Sequence, residues 1–189
     1  MQATETQLAK PRVQNAAILK DAAQELAEQH QYLTFLLGVE MFAIGILSIR
    51  EIIEYGFVTD VPMTPPFIRG VLNLRGAVVP VVDLAVRFGR PARDITNRTC
   101  IVIVDIEAAS GSQQMGVVVD AVSEVLDIPA SEIEPPPAFG ARIRNDFVKG
   151  MGKINGKFVV VLDLNRVMSI DELAVATGIE RMEVPLSAA

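Results

Sequence analysis

Residues Phe67–Leu84 read FIRGVLNLRGAVVPVVDL, and Phe147–Leu164 read FVKGMGKINGKFVVVLDL. At a constant offset of 80 the two stretches share Phe, Gly, Gly, Val, Val, Asp and Leu, seven identities in eighteen positions. A basic residue also recurs, Arg69 in the first copy and Lys149 in the second. Each copy reads strand, tight turn, strand, and Asn155-Gly156 is the strongest hairpin signal in the chain. Upstream, Ile49-Arg50-Glu51-Ile52-Ile53 resembles Val122-Ser123-Glu124-Val125-Leu126 at an offset of 73, so the second copy carries seven extra residues. Both copies pass through prolines before the F-x-[RK]-G step. Self-similarity of this kind marks one small structural unit built twice. Neither copy is long enough to fill a large core, so the halves are expected to pack together. The groove between them is then the natural place for a partner.

Outside the repeat the patterns are also β-rich. Tyr32–Leu37 and Met41–Leu47 flank Gly38-Val39-Glu40 and read as a hairpin. Ile49–Val58 continues with branched residues, and Pro62, Pro65 and Pro66 then forbid a central strand. Val71–Leu74 and Ala77–Val82 form a strand pair around Gly76, followed by a short helix with Asp83 as its N-cap and Gly89 as its stop. A polar connector, residues 89–99, leads to strands at Cys100–Ile106, Gln114–Val119 and Val122–Ile128. Residues 134–146 read as a loop, and Asp163 opens a closing helix that runs to about residue 176. Residues 1–30 form an extension. Its 12–30 stretch carries Ala16, Leu19, Ala23 and Leu26 at helical spacing, suited to loose docking, to a partner, or to no specific role. The expected fold is mainly β: two pseudo-repeated small barrels, about 31–88 and 99–163, with a helical N-terminal extension, the closing helix and a tail at 177–189.

The 189 residues are 50% apolar and 21% charged, with one His, one Cys, no Trp and a net charge of −6. A chain of this size buries about 70% of its unfolded surface, enough for a core without covalent staples. One cysteine cannot make an internal disulfide, and one His with one Cys cannot make a zinc cluster. The acidic balance and scarce aromatics oppose a nucleic-acid-binding barrel, the rival from another class. No apolar run approaches the ~20 residues of a spanning helix, and the first ten residues lack a secretory core. The expectation is a cytoplasmic protein with no membrane insertion.

Catalytic chemistry finds little footing. Asp83 and Asp163 stand at equivalent strand-to-helix steps, where capping explains them better than acid–base or metal work. Asp60, Asp105 and Asp120 lack ligand spacing, no phosphate-binding glycine loop occurs, and Cys100 opens an apolar strand. His30 reads as a solvated helix-end residue. No enzyme, cofactor or metal is expected. Binding surface is what remains. Arg75 sits in a tight turn as either a solvated charge or a fork for a carboxylate. Glu51 alternates with Ile49 and Ile53, which places it at a groove rim. Tyr55, Phe57 and Phe139 are either exposed contacts or core residues.

Three runs, YLTFLLGVEMFAIGILSIREII, VPMTPPFIRGVLNLRGAVVPVVDL and GVVVDAVSEVLDI, closely resemble the CheW family of bacterial chemotaxis coupling proteins, over about Gln31–Leu173. The resemblance implies two five-stranded SH3-like barrels and a non-catalytic adaptor. It would link chemoreceptor tips to the regulatory domain of the CheA histidine kinase in membrane-associated arrays, and join other CheW-like proteins in rings. A non-flagellar chemosensory output is the alternative within the class. The resemblance places receptor contacts at Ile49, Glu51, Ile52, Arg69, Gly70, Arg75, Cys100, Val122 and Gly150. It places kinase contacts at Tyr55, Phe57, Val58, Glu134 and Phe139. Asn155 stands where the first repeat has Arg75, so any role for an Arg there belongs to Arg75 alone. Glu134 stands where some relatives carry a basic residue.

Overall fold

A computed structural model describes residues 30–108, 111–136 and 143–169. Eleven strands follow one another: β1 (Gln31–Leu37), β2 (Glu40–Gly45), β3 (Ile49–Glu54), β4 (Ile68–Leu74), β5 (Ala77–Asp83), β6 (Cys100–Ala108), β7 (Gly111–Val119), β8 (Ala121–Asp127), β9 (Ile133–Glu134), β10 (Val148–Ile154) and β11 (Lys157–Leu162). Two four-residue helices, α1 (Leu84–Arg87) and α2 (Leu164–Val167), close the repeats. The strands form two sheets, in the orders β3-β6-β7-β5-β4 and β8-β1-β2-β11-β10-β9. The N-terminal extension, Phe139, the continuation of the closing helix and the tail lie outside the described residues.

The sheet orders correct the expected barrel boundaries. The repeat in the chain is β1–β5 against β6–β11, but the barrels do not divide between residues 88 and 99. The hairpin β1–β2 leaves its own repeat and joins β8–β11, while β6–β7 joins β3–β5. Parallel pairs fix both exchanges: Ala43 lies beside Val161, and Gly116 beside Val81. Val81 and Val161 are equivalent at the offset of 80, so Ala43 and Gly116 are equivalent at 73. The register of the two barrels therefore matches residue for residue.

The physical reason lies in the exchanged strands, which are apolar on both faces. On β6, Ile101 and Ile103 point into the first barrel, while Val102, Val104 and Ile106 point the other way. On β1 and β2, Tyr32 and Ala43 fill the second barrel, while Leu33, Phe35, Phe42 and Ile44 face out of it. The outward sets meet in one central core, the largest of three, which α1, α2 and Phe147 seal. Burial on both faces calls for a continuous apolar run rather than alternation. Each such side chain contributes about 1.5–3 kcal/mol. Four rings cross this core in contact, Phe35 to Phe42 to Phe88 to Phe147, with centroids 6.0, 5.7 and 6.1 Å apart. Arg87 latches the two helices: it lies over Phe67 and Phe147, and its Nε donates to the Val167 carbonyl at 2.9 Å.

Asp83 and Asp163 act as N-caps, each accepting an amide from the third residue on at 3.2 Å. The expected loop at 134–146 begins one residue later than read, because Glu134 pairs with Met151 in the two-residue strand β9. Its counterpart in the first barrel is a single bridge, Thr59 to Val71.

Candidate functional site

The first barrel carries the densest group of expected contact residues. β3 alternates half-buried and exposed side chains. Ile49 packs on the central core, Ile53 enters the first barrel, and Ile52 is exposed. A bulge between Ile49 and Glu51 changes the facing of the strand at that point. Glu51 accepts from Arg75 Nη2 at 3.1 Å, with Arg75 four-fifths exposed and Glu51 about one-quarter exposed. The carboxylate thus lies at the sheet surface with an outward guanidinium over it. At the bulge Arg50 pairs with Asp105 of β6.

The turn that presents Arg75 is built for this. Arg75 has φ +51 and Gly76 φ +91, and Asn155 and Gly156 repeat the pattern at +49 and +78. Two positive φ values in succession give the hairpin turn that matches strand twist. Asn73 supports the first turn by accepting the Gly76 amide at 2.8 Å.

Other members of the expected receptor set play different parts. Arg69 lies six residues from Arg75 along β4, about 20 Å on an extended strand. It turns inward to the buried carboxylate of Asp83 at 3.3 Å. Gly70 and Gly150 are buried where a crossing strand presses on them. A side chain at Gly70 would fall on the Thr59 carbonyl, and one at Gly150 on Ile133 and the Glu134 carbonyl. Cys100 is half-buried and its thiol donates to the Arg98 carbonyl at 3.3 Å. Val122, the equivalent of Ile49, packs on the central core from the second barrel. The structure therefore joins Glu51 to Arg75, while Ile49 and Ile52, set opposite Val104 and Val102, lie on the other face of β3. It gives Arg69, Gly70 and Gly150 inward roles.

Of the expected kinase set, Tyr55 and Val58 pack on the first-barrel core, with the Tyr55 amide donating to Thr99. Phe57 between them is wholly exposed at φ +48. Met63, at φ +62, and Val61 are exposed on the same β3–β4 connection. Sequence reasoning missed Met63 and Val61. Glu134 is exposed on β9 of the second barrel. Val125, the counterpart of the expected contact Ile52 at the offset of 73, and the pair Val78 and Phe158, linked at 80, are further exposed apolar residues that went unread.

Among the described residues no three acidic, His or Cys side chains could hold a metal ion, and no helix is long and apolar enough to cross a membrane. Among those residues, arginines at 50, 69, 75, 90, 93, 144 and 166 are each paired with an acid. The Arg144 guanidinium, hydrogen-bonded to Asp146, holds that exposed carboxyl below its usual range.

Interlaced barrels, with charged side chains joined to one another and apolar ones exposed at the edges, define a class of all-β binding scaffold. Within that class the chain belongs to the CheW-like domain family, whose model matches residues 31–172. It is similar to the chemotaxis protein CheW of Klebsiella aerogenes, with 32% identity over 166 residues, 88% of this chain and 96% of that protein. The protein FrzA of Myxococcus xanthus is 34% identical over 119 residues, 63% of this chain and 71% of its own. Among solved structures, the scaffolding protein TtCheW of Thermoanaerobacter tengcongensis superposes with a TM-score of 0.67 at 35% identity. That match covers 74% of this chain and 87% of the other. The expected SH3-like two-barrel fold agrees with this neighbour.

Proposed function

We propose that this chain is a cytoplasmic chemotaxis adaptor that couples the tips of chemoreceptors to the CheA histidine kinase. Membership of the CheW-like family and relatives named as chemotaxis proteins support the adaptor role. The observation that carries the receptor side is the exposed Arg75 held over Glu51 on β3, a strand that also presents the exposed Ile52 on its other face. A guanidinium pre-oriented by a carboxylate offers a fixed fork next to apolar surface, the combination that dominates binding at protein interfaces. The kinase side rests on the exposed Phe57 of the first barrel and Glu134 of the second, with Phe139, outside the described residues, added on the resemblance alone. Val122 and Cys100 are read as flanking contacts on the receptor side, and Arg69, Gly70 and Gly150 as residues that hold the contact strands in place. The adaptor works by placement of its partners, with membrane-associated arrays as its destination and rings with other CheW-like proteins as its setting.

Pull-down with a receptor cytoplasmic fragment and with CheA tests both faces. Arg75→Glu is expected to weaken receptor capture by about tenfold or more, the effect of losing one anchor, and to leave CheA capture intact. Phe57→Ser is expected to do the reverse. Undiminished receptor binding by folded Arg75→Glu protein would overturn the receptor assignment.

A further inference from the structure

The connection between β3 and β4 is held to the first barrel at several points. The amide of Tyr55 donates to the Thr99 carbonyl at 3.1 Å, and Tyr55 and Val58 pack on the first-barrel core. Thr59 exchanges two backbone hydrogen bonds with Val71, at 2.8 and 2.9 Å, and Pro65 is buried. Between these fixed points two apolar side chains stand out in solvent. Phe57 is wholly exposed, Met63 is 96% exposed, and Val61 between them is exposed as well. Phe57 and Met63 both have left-handed backbone, at φ +48 and +62. A bulky residue is rare in that region, because its β-carbon crowds the following carbonyl.

Neither conformation is forced by the fold. Gly56, which could adopt a positive φ without strain, stands next to Phe57 and does not have one. Met63 follows Pro62 in a turn that the Thr64 hydroxyl closes by donating to the Val61 carbonyl at 2.9 Å. Where the residue after such a proline takes a positive φ, Gly or Asn is favoured. The second barrel makes the same passage without strain: Ala130–Glu132, ahead of β9, is a 3-10 turn with no positive φ and no aromatic residue. Strain kept at two exposed apolar side chains on an anchored connection thus points outward, to a partner. The charge around them is of one sign. Residues 54–66 hold two acids, Glu54 and Asp60, and no Lys or Arg. Both acids are exposed, and neither has an ion pair among the described residues.

We infer that Phe57 and Met63 are twin anchors, held out on strained backbone to enter two apolar sockets whose rim carries Lys or Arg. The inference rests on the adaptor reading and deepens its kinase side: the sockets belong to the CheA regulatory domain, and Met63 shares that contact with Phe57. Truncation to glycine in the full chain separates contact from folding, because glycine removes the side chain and relieves the strain at once. Phe57→Gly and Met63→Gly are each expected to weaken CheA capture about tenfold, the loss of one anchor. Tm is expected to stay unchanged or to rise by up to about 4 °C. A fall in Tm with either variant, the behaviour of a side chain packed in the fold or covered by another part of the chain, overturns the inference. Glu54→Gln with Asp60→Asn is expected to weaken CheA capture severalfold and to flatten its decline with salt. Capture by the unaltered chain that does not decline with salt overturns the basic rim. No CheA capture by the unaltered chain overturns the kinase reading and this inference with it, whereas undiminished capture by Met63→Gly overturns this inference alone. Self-association of the unaltered chain that Met63→Gly abolishes, with CheA capture kept, assigns the anchors to a second copy and overturns it likewise.

Discussion

Arg75 occupies a backbone conformation that costs an L-residue with a β-carbon about 1–2 kcal/mol, and that Asn or Gly adopts more readily. The second barrel has Asn155 at the same point. An arginine retained where asparagine is easier marks a position held for contact rather than for folding. Arg75→Asn is accordingly expected to leave Tm unchanged or slightly raised, because the lost exposed pair with Glu51 is worth only about 0–1 kcal/mol. Receptor capture by the same variant should fall, and a loss of both together would assign Arg75 to the fold. This turn was legible in the sequence, since Gly76 and Asn155-Gly156 announce their backbone needs locally. So were the capping roles of Asp83 and Asp163. The inward turn of Arg69 was not: the bulge between Ile68 and Gly70 frees it from alternation, and its partner Asp83 is reached only through the sheet. The exposure of Met63 was equally hidden, because it depends on a positive φ in a proline-rich connection that no side-chain pattern encodes.

The strands were legible as elements because apolar runs between turn residues mark them. Their sheet partners were not, since a hairpin such as Tyr32–Ile44 satisfies its local pattern equally well in either barrel. What decides is the pairing of Ala43 with Val161, more than a hundred residues away in the chain. β1 bulges against β8 between Leu33 and Phe35, at a residue with an equally non-local partner. Thr34 is buried and its hydroxyl donates to the Glu124 carbonyl at 2.7 Å, joining strands 90 residues apart. Among the elements, the latch between the helices is open to direct measurement. Arg87→Ala removes two ring contacts and the bond to Val167, and is expected to cost about 1–3 kcal/mol in urea unfolding. Arg87→Lys should recover little of this, because an ammonium lacks the planar fork that stacks on both rings.

Across the whole molecule, neither half of the sequence contains a complete barrel. Each barrel takes strands from both halves, and the central core takes side chains from both barrels. Fragments split in the connector at residue 96 are expected to remain unfolded when alone and to reconstitute the β circular dichroism spectrum when mixed. Independent folding of either fragment would contradict the exchanged topology. The intact chain should unfold in one transition, with coincident midpoints for probes placed in the two barrels. Its non-local pairings place it among slow folders, in the millisecond-to-second range.

The same exchange has a mechanical consequence. The chain passes between barrels at Ile46–Ser48 and again at Asp120, positions that correspond within the repeat. The two covalent crossings lie at opposite ends of β1, Gly45 beside Tyr32 and Ala121 beside Leu36, and strands interlock between them. A pull applied to one barrel is therefore shared by both crossings and resisted by hydrogen bonds loaded in shear, with no single peptide free to act as a hinge. A bar of this construction carries a small displacement from end to end without absorbing it.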